Sequence, residues 1–354
     1  MNEMIYASAG SIARAIRNDE ASAVEVVEAH LGRIEEVNSK LGAVVQLVAD
    51  RALAEAREAD TALARGDPTG PLHGVPITIK DSHDTEGIIS TGGTKGRADF
   101  VPKRDATAVA RLRAAGAILL GKTNTPELTL SFETDNLVYG RTNNPYDLTC
   151  TPGGSSGGAA AIIAAGGSPL DLGTDTAGSI RVPVHCCGIA GLKPTSGRVP
   201  RTGHIIHHAM GALGPLTVVG PMARYVDDLS LVLPIVAGPD WVDPAIVPTP
   251  LGAPADVDVR ALTVACYADN GIASPTAEVD AAVRAAADAL EDACVTVVDD
   301  RPEAITRSPS TSLLEADGGA AVRRLLDQAG TTEFHPWVAR FAEGLEPIPA
   351  AELT

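Results

Sequence analysis

The chain has 354 residues, 45% of them hydrophobic but only 3% aromatic, which is enough apolar material for a sizeable core built on Ala, Val, Leu and Ile. A net charge of -17 argues against direct binding to nucleic acid or to an anionic membrane, and its plainest use is solubility. No cationic stretch leads into an apolar run at the N-terminus, no apolar stretch reaches the roughly 18 residues of a membrane span, and cysteines that are odd in number and lack framework spacing predict reduced thiols and a cytoplasmic location.

Along the chain, helical and strand patterns alternate. Ser22-Ala23-Val24-Glu25 is a capping-box start, and Val24, Val27, Leu31, Ile34 and Val37 then keep helical spacing. Residues 43–48 predict a strand, 49–65 a helix and 75–80 a strand that ends in the polar turn Asp81-Ser82-His83-Asp84. A helix is expected over 106–115, a strand over 117–120, and a helix over 225–237 despite Pro234. A strand over 259–267, a helix opened by Ser274-Pro275 and running to about residue 293, and a strand over 294–298 follow. Such alternation predicts an α/β fold with helices packed on both faces of a sheet. The Pro-rich segment Val247 to Pro254 is the clearest linker and reads as an excursion rather than a domain boundary.

The chemistry gathers in two Gly-rich loops. Ser155 lies in Gly153-Gly154-Ser155-Ser156-Gly157-Gly158, and Ser179 in Asp175-Thr176-Ala177-Gly178-Ser179-Ile180-Arg181. Upstream, Lys80 closes the apolar run Gly74-Val75-Pro76-Ile77-Thr78-Ile79-Lys80. A serine hydroxyl needs a base to become a nucleophile, and a lysine can be that base once burial destabilises its ammonium. Glycines around Ser179 allow successive backbone N–H groups to converge as an oxyanion hole, with Thr176, Ala177, Gly178 and Ser179 as the donors.

These loops, together with Cys187-Gly-Ile-Ala-Gly-Leu-Lys-Pro-Thr195, Ala115-Gly-Ala-Ile-Leu-Leu-Gly-Lys-Thr-Asn124 and Gly220-Pro-Met-Ala-Arg224, closely resemble the amidase signature family of amide hydrolases over roughly residues 8–300. The resemblance implies one large α/β/α sandwich with a mixed central sheet, spanning 1–354 as a single domain. It implies Ser179 as the acyl-accepting nucleophile, Ser155 as a relay held in a cis peptide, Lys80 as the ultimate base, and no metal or cofactor. Asp175 and Arg181 are expected to pair and hold the nucleophile's loop. Thr129, Leu130 and Ser131 would lie beside the acyl part of a small-molecule amide, although Leu130 also suits the core. The surroundings of Thr125-Pro126-Glu127 and Arg201-Thr202-Gly203-His204 look more like the lipid-amide and general-amide branch than like the glutamine-using subunit that serves transfer-RNA amidation.

Rival readings remain open at this stage. Gly153-Gly154-Ser155-Ser156-Gly157 also fits the G-x-S-x-G nucleophile elbow, with Ser155 as nucleophile and His185 or His204 as base, but turn-forming residues precede it where a buried strand is required. A phosphate cradle would need a following Gly-Lys-Ser/Thr, which is absent. His185, Cys186, Cys187, His204, His207 and His208 lack the spacing of known zinc sites. The resemblance further implies additional strands and a Gly-Leu-Pro-Val-Gly-type segment that these residues do not carry. From that follow three expectations: an open sheet edge that invites a partner chain or a homo-oligomer, a substrate cavity lacking one wall, and a non-catalytic scaffold as the reading from another class.

Overall fold

In the computed structural model, which describes residues 4–67, 69–207, 213–301 and 317–343, the chain begins with two helices whose starts are fixed by side-chain caps. Helix α1 (Ala9–Arg17) turns Ile12, Ala13 and Ile16 inward, and Ser8 accepts the Ser11 N–H. Helix α2 (Ala23–Leu41) carries the predicted capping box, in which Ser22 and Glu25 satisfy each other's backbone N–H groups, and it ends at the left-handed Gly42. There follow β1 (Val44–Leu47), α3 (Ala49–Ala64), β2 (Pro76–Lys80), α4 (Thr107–Ala114), β3 (Ile118–Thr123), α5 (Gly157–Ala164), β4 (Leu170–Asp175), α6 (Arg181–Cys187), β5 (Ala190–Gly191), α7 (Leu213–Leu216), β6 (Val218–Ala223) and α8 (Val226–Val236).

The α/β class with mixed strand directions is as the sequence implied. In one group, ordered β1-β3-β2, β3 runs antiparallel to β1 and parallel to β2; in the other, ordered β4-β6-β5, both neighbours run antiparallel to β6. Strands β2, β3, β4 and β6 are buried along their whole length. Helix α5 packs on β1, β2, β3, β4 and β6, while α3 covers β3 and α8 covers β5 and β6. A second buried cluster joins Leu128, Ile205 and Ile206 to Val322 and Leu325 of α10 (Ala320–Ala329) and Val338 of α11 (Pro336–Ala342).

Beginning at Pro250, within the Pro-rich segment, the chain builds a separate small unit, and the described residues after 316 belong again to the larger one. The small unit contains β7 (Thr263–Cys266), α9 (Ala277–Asp292) and β8 (Thr296–Asp299), with β7 and β8 paired in parallel. The strand expected over 259–267 starts only at Thr263, because Asp258 accepts the Arg260 N–H and folds Val259–Ala261 into a 3-10 turn.

One long-range cap secures the N-terminal helix. The backbone N–H groups of Ala9 and Gly10 donate to the two carboxylate oxygens of Asp228, at 2.9 and 3.0 Å. Asp228 is buried, so its loss would leave helix N–H groups unpaired next to the dipole's positive end. Asp228→Ala is therefore expected to lower unfolding free energy by about 1–3 kcal/mol. Urea denaturation should show it as a lower midpoint at unchanged slope, and an unchanged midpoint would mean that water replaces the carboxylate.

Candidate active site

Lys80 is the last residue of β2, a strand whose alternation of Ile77 and Ile79 with Thr78 brings the chain through the core. Its side chain is fully buried, and Nζ donates to Ser155 Oγ at 2.7 Å, Thr174 Oγ1 at 2.9 Å and Ser156 Oγ at 3.0 Å. Burial pushes its pKa down to about 7, while the carboxylates of Asp171 and Asp175 pull the other way. All three partners are hydroxyls, which donate as well as accept, so any of them can turn its hydrogen toward the amine once that is neutral.

Ser155 and Ser156 reach the amine from the loop that leads into α5. Thr134 Oγ1 donates to the Gly153 carbonyl at 2.8 Å and accepts the Gly157 N–H at 3.1 Å, fastening the loop at both ends. A Cβ on Gly154 would lie 2.7 Å from the Phe132 carbonyl carbon and 2.8 Å from the Ser131 carbonyl oxygen, so only glycine fits there. The Gly154–Ser155 peptide is cis, as the resemblance implies. No strand leads directly into Ser155, which is fully buried against Lys80, and the nucleophile-elbow reading thus loses its strand; of its two candidate bases, His204 is buried with Nε2 paired to Ser82 Oγ at 3.0 Å.

Ser179 stands on the turn between β4 and α6, 7% exposed. The turn is organised by Asp175, which accepts the N–H groups of Gly178 at 2.8 Å, Ile180 at 3.1 Å and Arg181 at 3.3 Å, and pairs with the Arg181 guanidinium at 2.8 Å. Burial opposes ionisation of Asp175, but the Arg181 guanidinium and the backbone N–H groups hold the carboxyl below its usual range. The expected Asp175–Arg181 pairing is thus present. Gly178, however, cannot offer the free oxyanion donor that the sequence reading gave it, because its N–H is already held by Asp175. The Ser156 N–H donates to the Ser179 carbonyl at 3.2 Å, which ties the two serine loops together.

Other predicted site residues fall differently. Thr129 is 8% exposed, and Leu130 is partly buried against the second buried cluster. Ser131 Oγ accepts the Glu133 N–H at 3.0 Å, shaping its own turn. The sequence reading missed Phe132 between them. It is 53% exposed, and its ring edge lies 3.5 Å from where a Cβ on Gly178 would stand. It also missed Ser156, inside the first Gly-rich loop, and Thr174, one residue before the second, which complete the shell around Lys80.

A second fully buried lysine, Lys122, donates to Thr85 Oγ1 at 2.8 Å, Ser90 Oγ at 3.0 Å and the His83 carbonyl; burial pushes it down to about 8. Both buried lysines are thus softened, and Lys80 is the one bonded to serines of the Gly-rich loop. Among the described residues no three His, Cys, Asp or Glu side chains gather as a metal-holding group; His208 lies outside those residues. No described helix is long and apolar enough to cross a membrane, and the cysteines are all free thiols.

The profile of the Amidase family matches residues 25–346. The chain belongs to this family. As an amidase-family chain, it is 43% identical over 281 residues to a glutamyl-tRNA(Gln) amidotransferase subunit of Roseiflexus sp. (strain RS-1), covering 78% of this chain and 56% of that protein. It is also 43% identical over 291 residues to the indoleacetamide hydrolase of Bradyrhizobium diazoefficiens, covering 80% of this chain and 54% of that protein. Among solved structures, 6-aminohexanoate cyclic dimer hydrolase superposes with a TM-score of 0.86 at 29% identity, over 99% of this chain and 73% of that one. The matches thus span little more than half the length of these two curated relatives.

Proposed function

We propose that this amidase-family chain hydrolyses a small carboxylic amide through an acyl-enzyme on Ser179, with Lys80 as base and Ser155 as relay. The observation that carries the reading is the 2.7 Å bond between Ser155 Oγ and the amine of a buried lysine whose pKa is lowered to about 7. In the first half-reaction the Ser179 hydroxyl, unbonded among the described residues, turns to Ser155, and neutral Lys80 takes the Ser155 proton while Ser155 takes that of Ser179, whose oxygen attacks the amide carbonyl. The N–H groups of Thr176, Ala177 and Ser179 receive the developing oxyanion. The proton then returns along the same path to the leaving nitrogen, the C–N bond breaks, and water repeats the sequence on the ester.

The substrate class has two candidates: transfer-RNA amidotransferase subunits share 40% to 45% identity with this chain, and an indoleacetamide hydrolase shares 43%. We favour stand-alone hydrolysis of aryl or linear amides, because Phe132 places an exposed aromatic surface beside Gly178. The protein alone should release ammonia from indoleacetamide and from simple linear amides, measured by a coupled ammonia assay. Ammonia from glutamine only, and only once a partner protein is supplied, would favour the amidotransferase reading. A folded chain that releases none from either would favour a scaffold.

A further inference from the structure

Asp171 is a buried carboxylate that takes no part in the proton transfers above. It sits within β4, 1% exposed, in the run Leu170-Asp171-Leu172 where an apolar side chain would be expected. Its Oδ1 accepts the backbone N–H of Lys80 at 2.9 Å. Its Oδ2 accepts the hydroxyls of Thr78 on β2 at 2.6 Å and Thr123 on β3 at 3.0 Å. Two positions before Lys80 on the same strand, the Thr78 N–H donates to Ser168 Oγ at 3.1 Å. Strands β2 and β4 run side by side, yet no ladder pair joins them among the described residues, so side chains supply hydrogen bonds where a sheet would use carbonyls. One carboxylate thereby holds three strands together at the point where β2 delivers its amine.

We propose that Asp171 is a positioning residue of this site: it fixes the β2–β4 junction at Lys80 and keeps a negative charge behind the amine. The proposal rests on the reading of Lys80 as the base. The charged and titratable groups around the junction are Lys80 and, just beyond it, Asp81 and His83; Lys122 of β3; Asp175 at the end of β4; and His204 from the loop before α7. Burial drives His204 to about 3 and His83 well below its usual value, so neither carries charge near neutrality. Against burial, Asp171 and then Asp175 are the charges that hold the Lys80 ammonium up. Burial raises Asp171 itself to about 6, which leaves it mostly ionised at pH 7.

Asp171→Asn separates the two roles, since it retains an oxygen for the Lys80 N–H and removes the charge. With less to stabilise its ammonium, Lys80 should titrate lower by about one pH unit. The readout is NMR of the resting protein carrying lysine labelled with 13C at the ε-carbon, with the Lys80 signal identified by its loss in Lys80→Met. Asp171→Ser, uncharged and smaller, should move the midpoint the same way, whereas Asp171→Glu, which keeps the charge and displaces the oxygens, should lower kcat while holding the midpoint. An unmoved Lys80 midpoint in a folded Asn or Ser variant overturns the proposal. The titration needs no turnover, so an inactive wild-type protein would refute the hydrolase reading and still leave this result to be read.

Discussion

Replacing Ser179 by alanine is expected to lower kcat for amide hydrolysis by about 10⁴-fold or more, the scale seen when an acyl-accepting serine is removed from a catalytic unit that acts together. Stability should hardly change. The side chain is 7% exposed, its hydroxyl has no hydrogen-bond partner among the described residues, and the turn around it is held by Asp175 rather than by the serine. The check is a pair of measurements on one preparation, kcat with an aryl amide and the thermal midpoint. Activity within a few-fold of wild type at an unchanged midpoint would remove Ser179 from the chemistry.

The second large effect is expected at Lys80. Lys80→Met keeps the buried volume and the linear shape but deletes the base, and kcat/KM should fall by about 10³-fold, within the usual range for a positioned general base. The wild-type profile gives the sign. Only the neutral amine accepts a proton, and its pKa is lowered to about 7, so the rate should rise with pH below that value and level off above it. Below it the neutral fraction falls about tenfold per pH unit, and that slope should vanish from whatever residual rate Lys80→Met retains. A wild-type rate that stays flat from pH 5 to 8, an interval of roughly two units below and one above the expected midpoint, would mean that no group such as Lys80 limits the reaction.

Much of this site could be read along the chain because its chemistry is carried by contiguous motifs. Gly153 to Gly158 and Asp175 to Arg181 each form one local loop, and Lys80 ends a strand whose alternation is plain. The capping box at Ser22, helix α8 despite Pro234, and the β7-α9-β8 unit likewise rest on local signals. Strands β4 and β6 were not legible in that way. Leu170-Asp-Leu-Gly-Thr-Asp175 and Val218-Val-Gly-Pro-Met-Ala223 contain the acids, glycines and proline that weaken a strand pattern, and tertiary burial overrides them. The shell around Lys80 was hidden for another reason. Thr174, Ser156 and Asp171 meet the lysine only when separate segments converge, and linear spacing does not record that. A charged residue inside the apolar stretch of β4 was the one available clue to Asp171.

The oxyanion donors show how a local reading can go astray. Glycine at 178 satisfies the steric need, with φ at +139°, but its N–H is drawn to Asp175 instead of to the site. The remaining donors, Thr176, Ala177 and Ser179, would then share the oxyanion's charge.

The most direct test of the account is to treat the purified protein with a fluorophosphonate over a range of pH and locate the adduct by mass spectrometry. The proton relay predicts a single adduct on Ser179, forming at a rate that climbs to a plateau above about pH 7 and is nearly lost in Lys80→Met. An adduct on Ser155, or none in a folded chain at any pH, would contradict it.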